Sequence, residues 1–136
     1  MKKIFIVGKK DNWARKMEDK YGIPAKALKR ILKRDKLCVY CHKRMILPRK
    51  ETKQRNWATV EHMNDEPPWN NPITISLCCG SCNSSRRMGF KRWFKTQYCL
   101  DKGINEKTVA KPVKDYIKML RRLSPENRKK FFDQNY

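Results

Sequence analysis

The sequence predicts an α+β protein, with a small core of a two-stranded hairpin and one helix set between basic helical arms. Three observations carry that expectation. Two C-x-x-C pairs, Cys38/Cys41 and Cys79/Cys82, bracket the middle of the chain. Two strand-like runs, NWATVEH and ITISLCC, lie between them and lead into the second pair. Apolar residues recur at helical spacing before and after.

Residues 1 to 10 read as a short strand or a tail, followed by helical patterns over 11 to 21 and 24 to 34. In the second of these Ala27, Leu28, Ile31 and Leu32 form an apolar stripe among lysines and arginines, and Pro24 suits a first helical turn. The middle carries the two strands, separated by NDEPPWNNP, whose prolines and asparagines demand a loop. From Asn83 a helix is expected, capped by Asn83 or Ser84, with Met88, Trp93 and Phe94 on its apolar face and Gly89 weakening it. In the last third Val109, Val113, Tyr116, Ile117 and Leu120 mark another helix, and SPEN at Ser124 offers a cap with Pro125 in the first position. The chain divides into a basic helical extension over 1–36, a core over 37–95 and a helical extension over 96–136, all within one unit of 136 residues.

Composition narrows the function. The apolar fraction is 39% and the charged fraction 35%, so burial alone makes a thin core. With 34 Lys and Arg against 13 Asp and Glu, the net charge of +21 favours a polyanionic partner, nucleic acid above all. No basic amphipathic anchor with a large apolar face points to a membrane. The opening MKKIFIVGKK holds four consecutive apolar residues, too few for a signal-peptide core or a span. An intracellular protein is expected, whose six cysteines serve as metal ligands rather than as a disulfide frame.

Thiolates three positions apart on a tight turn can take two corners of a tetrahedron, and two such turns close a four-cysteine zinc site. Cys38, Cys41, Cys79 and Cys82 are the expected ligands, and the metal would staple a thin core. Cys78, beside Cys79, and His42, beside Cys41, are substitute ligands at that point. Cys99, on an expected helix, reads as a small buried apolar residue.

A structural zinc explains stability but not Glu61, His62 and Asn83. Phosphodiester hydrolysis needs a base to activate water and a hard cation to neutralise developing charge. His62 offers an imidazole, and Glu61 with Asn83 offers oxygen ligands suited to magnesium or manganese. Arg86, Arg87 and Lys91 follow within two helical turns and would lie along the approach of a phosphate backbone. In an ideal strand, however, neighbours face opposite ways, so Glu61 and His62 converge only if the chain ends or bends there.

The arrangement CVYC, VEH and CGSCN resembles the HNH endonucleases of the ββα-metal class. The resemblance covers about residues 37 to 88 and implies a metal-dependent DNA endonuclease, with His62 as general base and Glu61 and Asn83 on a catalytic magnesium or manganese. It places Cys38, Cys41, Cys79 and Cys82 on zinc and implies products ending in a 5′-phosphate and a 3′-hydroxyl. The family commonly has Asp where this chain has Glu61. Its middle asparagine falls on Thr74, so that either the Thr74 hydroxyl or an asparagine of the loop, Asn70 or Asn71, would orient His62. The rival expectation is a zinc-bearing nucleic-acid-binding module without catalysis.

Overall fold

The computed structural model describes residues 2–47, 56–65, 69–123 and 126, with side chains of the first helix from residue 12 onward. Helix α1 (Lys2–Tyr21) and helix α2 (Ala25–Arg34) open the chain. The expected strand or tail at the start is therefore the first half of a helix. A four-residue apolar run cannot be told from a helical segment by pattern alone. Gly22, at φ 74°, ends α1 in the left-handed region, its N–H bonding the Glu18 carbonyl at 2.7 Å. Glu18 closes the corner by accepting from the Ala25 N–H at 2.7 Å. Ala27, Leu28 and Ile31 are buried as the stripe predicts.

Strand β1 (Ala58–His62) pairs antiparallel with β2 (Ile75–Cys79), in the register Ala58↔Cys79 to His62↔Ile75. Pro72–Thr74 forms a single 3₁₀ turn before β2. The hairpin separates two apolar cores. Val60, Ile75 and Leu77 pack with Trp13, Ala14, Ile23, Leu28 and Ile31 of the α1–α2 pair. On the other side Tyr40, Met63 and Cys78 pack with Phe90, Trp93, Val113, Ile117 and Leu120 of the C-terminal helices. Asp35, buried after α2, pins the first layer by accepting from the Leu77 N–H at 3.0 Å and from Arg34.

The expected helix from Asn83 starts earlier and breaks. Helix α3 (Gly80–Ser85) is capped by the Cys79 sulfur, which accepts from the Cys82 N–H, and α4 (Phe90–Trp93) follows a gap at residues 86 to 89. Cys79 takes the cap because its sulfur stands where a serine oxygen would. Helix α5 (Gln97–Lys102) carries the buried Cys99, as expected, and α6 (Lys111–Arg122) carries the predicted apolar face, with Pro112 in its first turn. The Ser124 cap lies outside the described residues. Among the described residues no helix is long and apolar enough to cross a membrane.

Candidate metal centre and hairpin site

The four expected ligands converge at one end of the hairpin. Cys38 and Cys41 lie on the turn before β1; Cys79 ends β2 and Cys82 sits one turn into α3. Their sulfurs all lie within 4.8 Å of one another, and Cys41 Sγ is 3.8 Å from Cys79 Sγ. A tetrahedral ion with bonds of about 2.3 Å sets its sulfurs about 3.8 Å apart, so the spacing suits zinc. His42 and Cys78 are not in the cluster. His42, at φ 63°, turns its ring to the Thr108 carbonyl at 2.5 Å, and the buried Cys78 sulfur faces Thr59 across the hairpin.

Electrostatics makes the same demand. The Cys38 hydrogen bond draws the Cys79 thiol down to about 6, and hydrogen bonds from Cys38, Cys79 and Cys82 hold Cys41 lower still. Cys38 and Cys82, which supply protons to those bonds, are held well above the ordinary thiol range. Thiolates held this close repel one another, and a bound cation would offset that repulsion. Secondary donors are in place, with the Cys82 N–H on Cys79 Sγ at 3.4 Å and the Tyr98 hydroxyl on Cys82 Sγ at 3.2 Å. The knuckle is tied down by Val39, whose N–H meets the Leu77 carbonyl and whose carbonyl meets the Ala110 N–H.

At the opposite end the strand runs regularly through His62, so Glu61 and His62 point to opposite faces. The chain turns only after His62, through residues 63 to 65, with Asp65 at φ 59° and its N–H on the His62 carbonyl. Glu61 is buried on the α3 side. Its Oε2 accepts from the Tyr40 hydroxyl at 2.5 Å and from Arg86 Nε at 2.7 Å. Arg86 also binds Asp65, the His62 carbonyl and the Met88 carbonyl, and its plane lies over the Phe90 ring at 4.4 Å. Burial alone would push this guanidinium down, but Glu61, Tyr40 and Asp65 outweigh it and keep Arg86 charged. Its side chain has no exposure, so Arg86 does not lie along a phosphate approach as expected. Tyr40 and Arg86 are structural partners of Glu61, Asp65 joins them through Arg86, and only the place of Tyr40 inside CVYC could have hinted at this.

His62 faces the α1–α2 side, half-buried between two aromatic rings. Its centroid is 4.7 Å from Tyr21 and 4.9 Å from Trp69, both edge-on, and Nε2 is 3.1 Å from the Trp69 carbonyl. A carbonyl only accepts, so Nε2 carries the proton and Nδ1 the lone pair. Burial pulls the imidazole below its ordinary pKa, against the Trp69 carbonyl and Glu61, and favours this neutral form. Thr74 does not orient it: its hydroxyl donates to the Asn71 carbonyl at 2.8 Å, and the Trp69 carbonyl takes the orienting role.

Asn83, half-buried on α3, donates Nδ2 to Thr59 Oγ1 at 2.9 Å and to the Val60 carbonyl at 3.3 Å. With its nitrogen turned to the strand, the amide oxygen is left as an acceptor. Glu61 shares the Thr59 face of β1, and its donors among the described residues, Tyr40 and Arg86, both fall on Oε2. Ser76 Oγ, cross-strand from Glu61, is buried without a hydrogen-bond partner among the described residues. Carboxylate and amide oxygens are the donor types that magnesium and manganese accept. Arg87 and Lys91 are exposed beyond Asn83. Comparison with protein-family models, curated proteins and solved structures found no match.

Proposed function

We propose that the chain is a metal-dependent DNA endonuclease built on a ββα-metal core, with structural zinc on Cys38, Cys41, Cys79 and Cys82. The observation that carries this reading is the setting of His62. Its ring stands at the hairpin's end, fixed through Nε2 by a backbone carbonyl, with a lone pair on Nδ1 and a strongly basic chain around it. Nδ1 takes a proton from water as the water oxygen bonds to phosphorus, the P–O3′ bond breaks, and the departing oxygen acquires a proton to give a 3′-hydroxyl. By the resemblance, Glu61 and Asn83 would hold magnesium or manganese, which would supply Lewis-acid stabilisation of the charge on phosphate and leaving oxygen. Glu61 stands on the face of β1 opposite His62, so the reaction requires the strand end to turn before ion and base share one phosphate. Tyr40 and Arg86 hold the Glu61 carboxylate in place through Oε2. Arg87 and Lys91 meet phosphates of the DNA backbone and set register more than they read bases.

Zinc-loaded protein is expected to nick or cut supercoiled plasmid with magnesium or manganese. His62→Ala should lower the rate by about 10²–10⁴-fold while thermal stability and DNA affinity stay near wild type. Full activity in that variant would remove the base from the scheme.

A second reading, a zinc-bearing nucleic-acid-binding module without catalysis, is favoured by one observation: the Glu61 charge is already balanced by Arg86. Intact plasmid across several divalent ions, with His62→Ala binding unchanged, would decide for it.

A further inference from the structure

We propose that Trp69 and Tyr21 make the His62 notch a seat for an unstacked base, so that the preferred substrate is single-stranded or locally unpaired DNA rather than regular duplex. Cleavage at this seat rests on the preceding reading of His62; the binding does not.

Among the described residues Trp69 is the one exposed Trp, Tyr or Phe side chain, the others being buried or partly buried. Trp13, Tyr40, Phe90, Trp93 and Tyr116 are buried, whereas Trp69 is 38% exposed and stands beside His62. Beyond Trp69 the chain is tied to itself. Asn71 accepts from the Ile73 N–H at 3.0 Å, and Thr74 donates to the Asn71 carbonyl at 2.8 Å. Tyr21 flanks His62 from the end of α1, and Lys20 Nζ lies 5.2 Å above the Tyr21 ring. Two rings, a cation for a neighbouring phosphate and the imidazole thus meet at one edge.

Three acids of this region are engaged elsewhere: Glu18 accepts from the Ala25 N–H, Glu61 faces the other side of the sheet, and Asp65 is paired with Arg86. In duplex DNA each base face is covered by its neighbours, so an exposed indole finds a π-face only where a base has left the stack. Stacking of one base on one aromatic side chain is worth about tenfold or more in affinity. The choice of Trp, rather than a further lysine, at this edge is explained by that contact.

The test compares one sequence as a single strand, as a perfect duplex and as a duplex with a three-nucleotide bulge. Zinc-loaded full chain is measured for affinity without added divalent ion and for kcat/KM with manganese. The single strand and the bulge should exceed the perfect duplex by about tenfold or more in both measurements. Trp69→Ala and Trp69→Leu should bring the ratio within about twofold of unity, chiefly through KM, and Trp69→Phe should keep most of it. Equal use of single strand and perfect duplex by the wild type overturns the proposal, as does a ratio that Trp69→Leu leaves unchanged. Binding preference through Trp69 without cleavage of any substrate would sink the nuclease reading and leave the seat standing. Cleavage of perfect duplex at a ratio indifferent to Trp69 would do the reverse.

Discussion

The two ends of the hairpin present opposite solutions to placing reactive side chains. At the Ala58–Cys79 end, four sulfurs from a turn, a strand end and a helix converge within 4.8 Å. At the His62–Ile75 end, two sequence neighbours diverge, Glu61 into an ion-paired interior and His62 between aromatic rings on the other face. A C-x-x-C turn delivers its ligands by local geometry, whereas adjacent strand residues are parted by the pleat, and their neighbours in space decide what they can do. Stability should therefore break hardest at the sulfur end.

Replacing Cys82 by Ser is the most damaging change expected. Cys82 is fully buried and removes one corner of the tetrahedron. Structural zinc contributes an apparent ~10–16 kcal/mol in small zinc-dependent modules at neutral pH. That matches or exceeds the ~5–15 kcal/mol net stability of a domain. Near-ultraviolet circular dichroism should show loss of tertiary structure in Cys82→Ser, and a strong chelator should do the same to the wild type. A folded Cys82→Ser protein that retains one zinc would mean that Cys78 or His42 can stand in, and the sulfur end would lose its claim to unique geometry.

The Glu61 end should break next, and through Arg86. Arg86→Gln leaves Glu61 buried with its counter-charge gone and takes the guanidinium away from Asp65 and the His62 carbonyl. Removing one partner of a buried pair costs about 3–5 kcal/mol, because the remaining charge stays desolvated. Urea unfolding should show a lower midpoint at unchanged slope. Arg86→Lys should recover only part, since an ammonium cannot span Glu61, Asp65 and two carbonyls with one fork. A midpoint unmoved in Arg86→Gln would show that Glu61 is balanced by something else and is more available to a cation than its burial suggests.

How far the sequence revealed these two regions differs for the same reason. The sulfur cluster was legible because the spacing of Cys38/Cys41 and Cys79/Cys82 is itself geometry. The second strand was legible from its β-branched residues and the α2 and α6 faces from period, since Leu28, Ile31, Val113 and Leu120 must all find cover. The first ten residues were not, because IFIV fits a strand or a helix equally. Arg86 was read as a surface cation from its place in a basic run, and only the fold reveals that α3 aims it at the β1 terminus. The sequence points to Thr74, Asn70 or Asn71 as the residue orienting His62, and the Trp69 carbonyl does so instead, because a backbone carbonyl leaves no mark in sequence.

Tyr40 joins the two ends, and Tyr40→Phe is the finest of these tests. The residue sits between Cys38 and Cys41, yet its hydroxyl reaches Glu61 Oε2 at 2.5 Å. Burial raises its pKa well above the ordinary phenol value, with Glu61 adding to the rise, so the group is a donor at neutral pH. Phenylalanine keeps the ring against Trp93, 4.8 Å away edge-on, and removes only the proton given to the carboxylate. The expected loss is about 1.5–3 kcal/mol, below that of Arg86→Gln, with zinc content unchanged. Combining Tyr40→Phe with Arg86→Gln should destabilise by other than the sum, with a coupling of about 0.5–3 kcal/mol, because both donors act on one oxygen. Strict additivity would instead mean that Glu61 answers to each donor separately, and the sulfur knuckle would then hold the carboxylate no more firmly than any isolated hydrogen bond does.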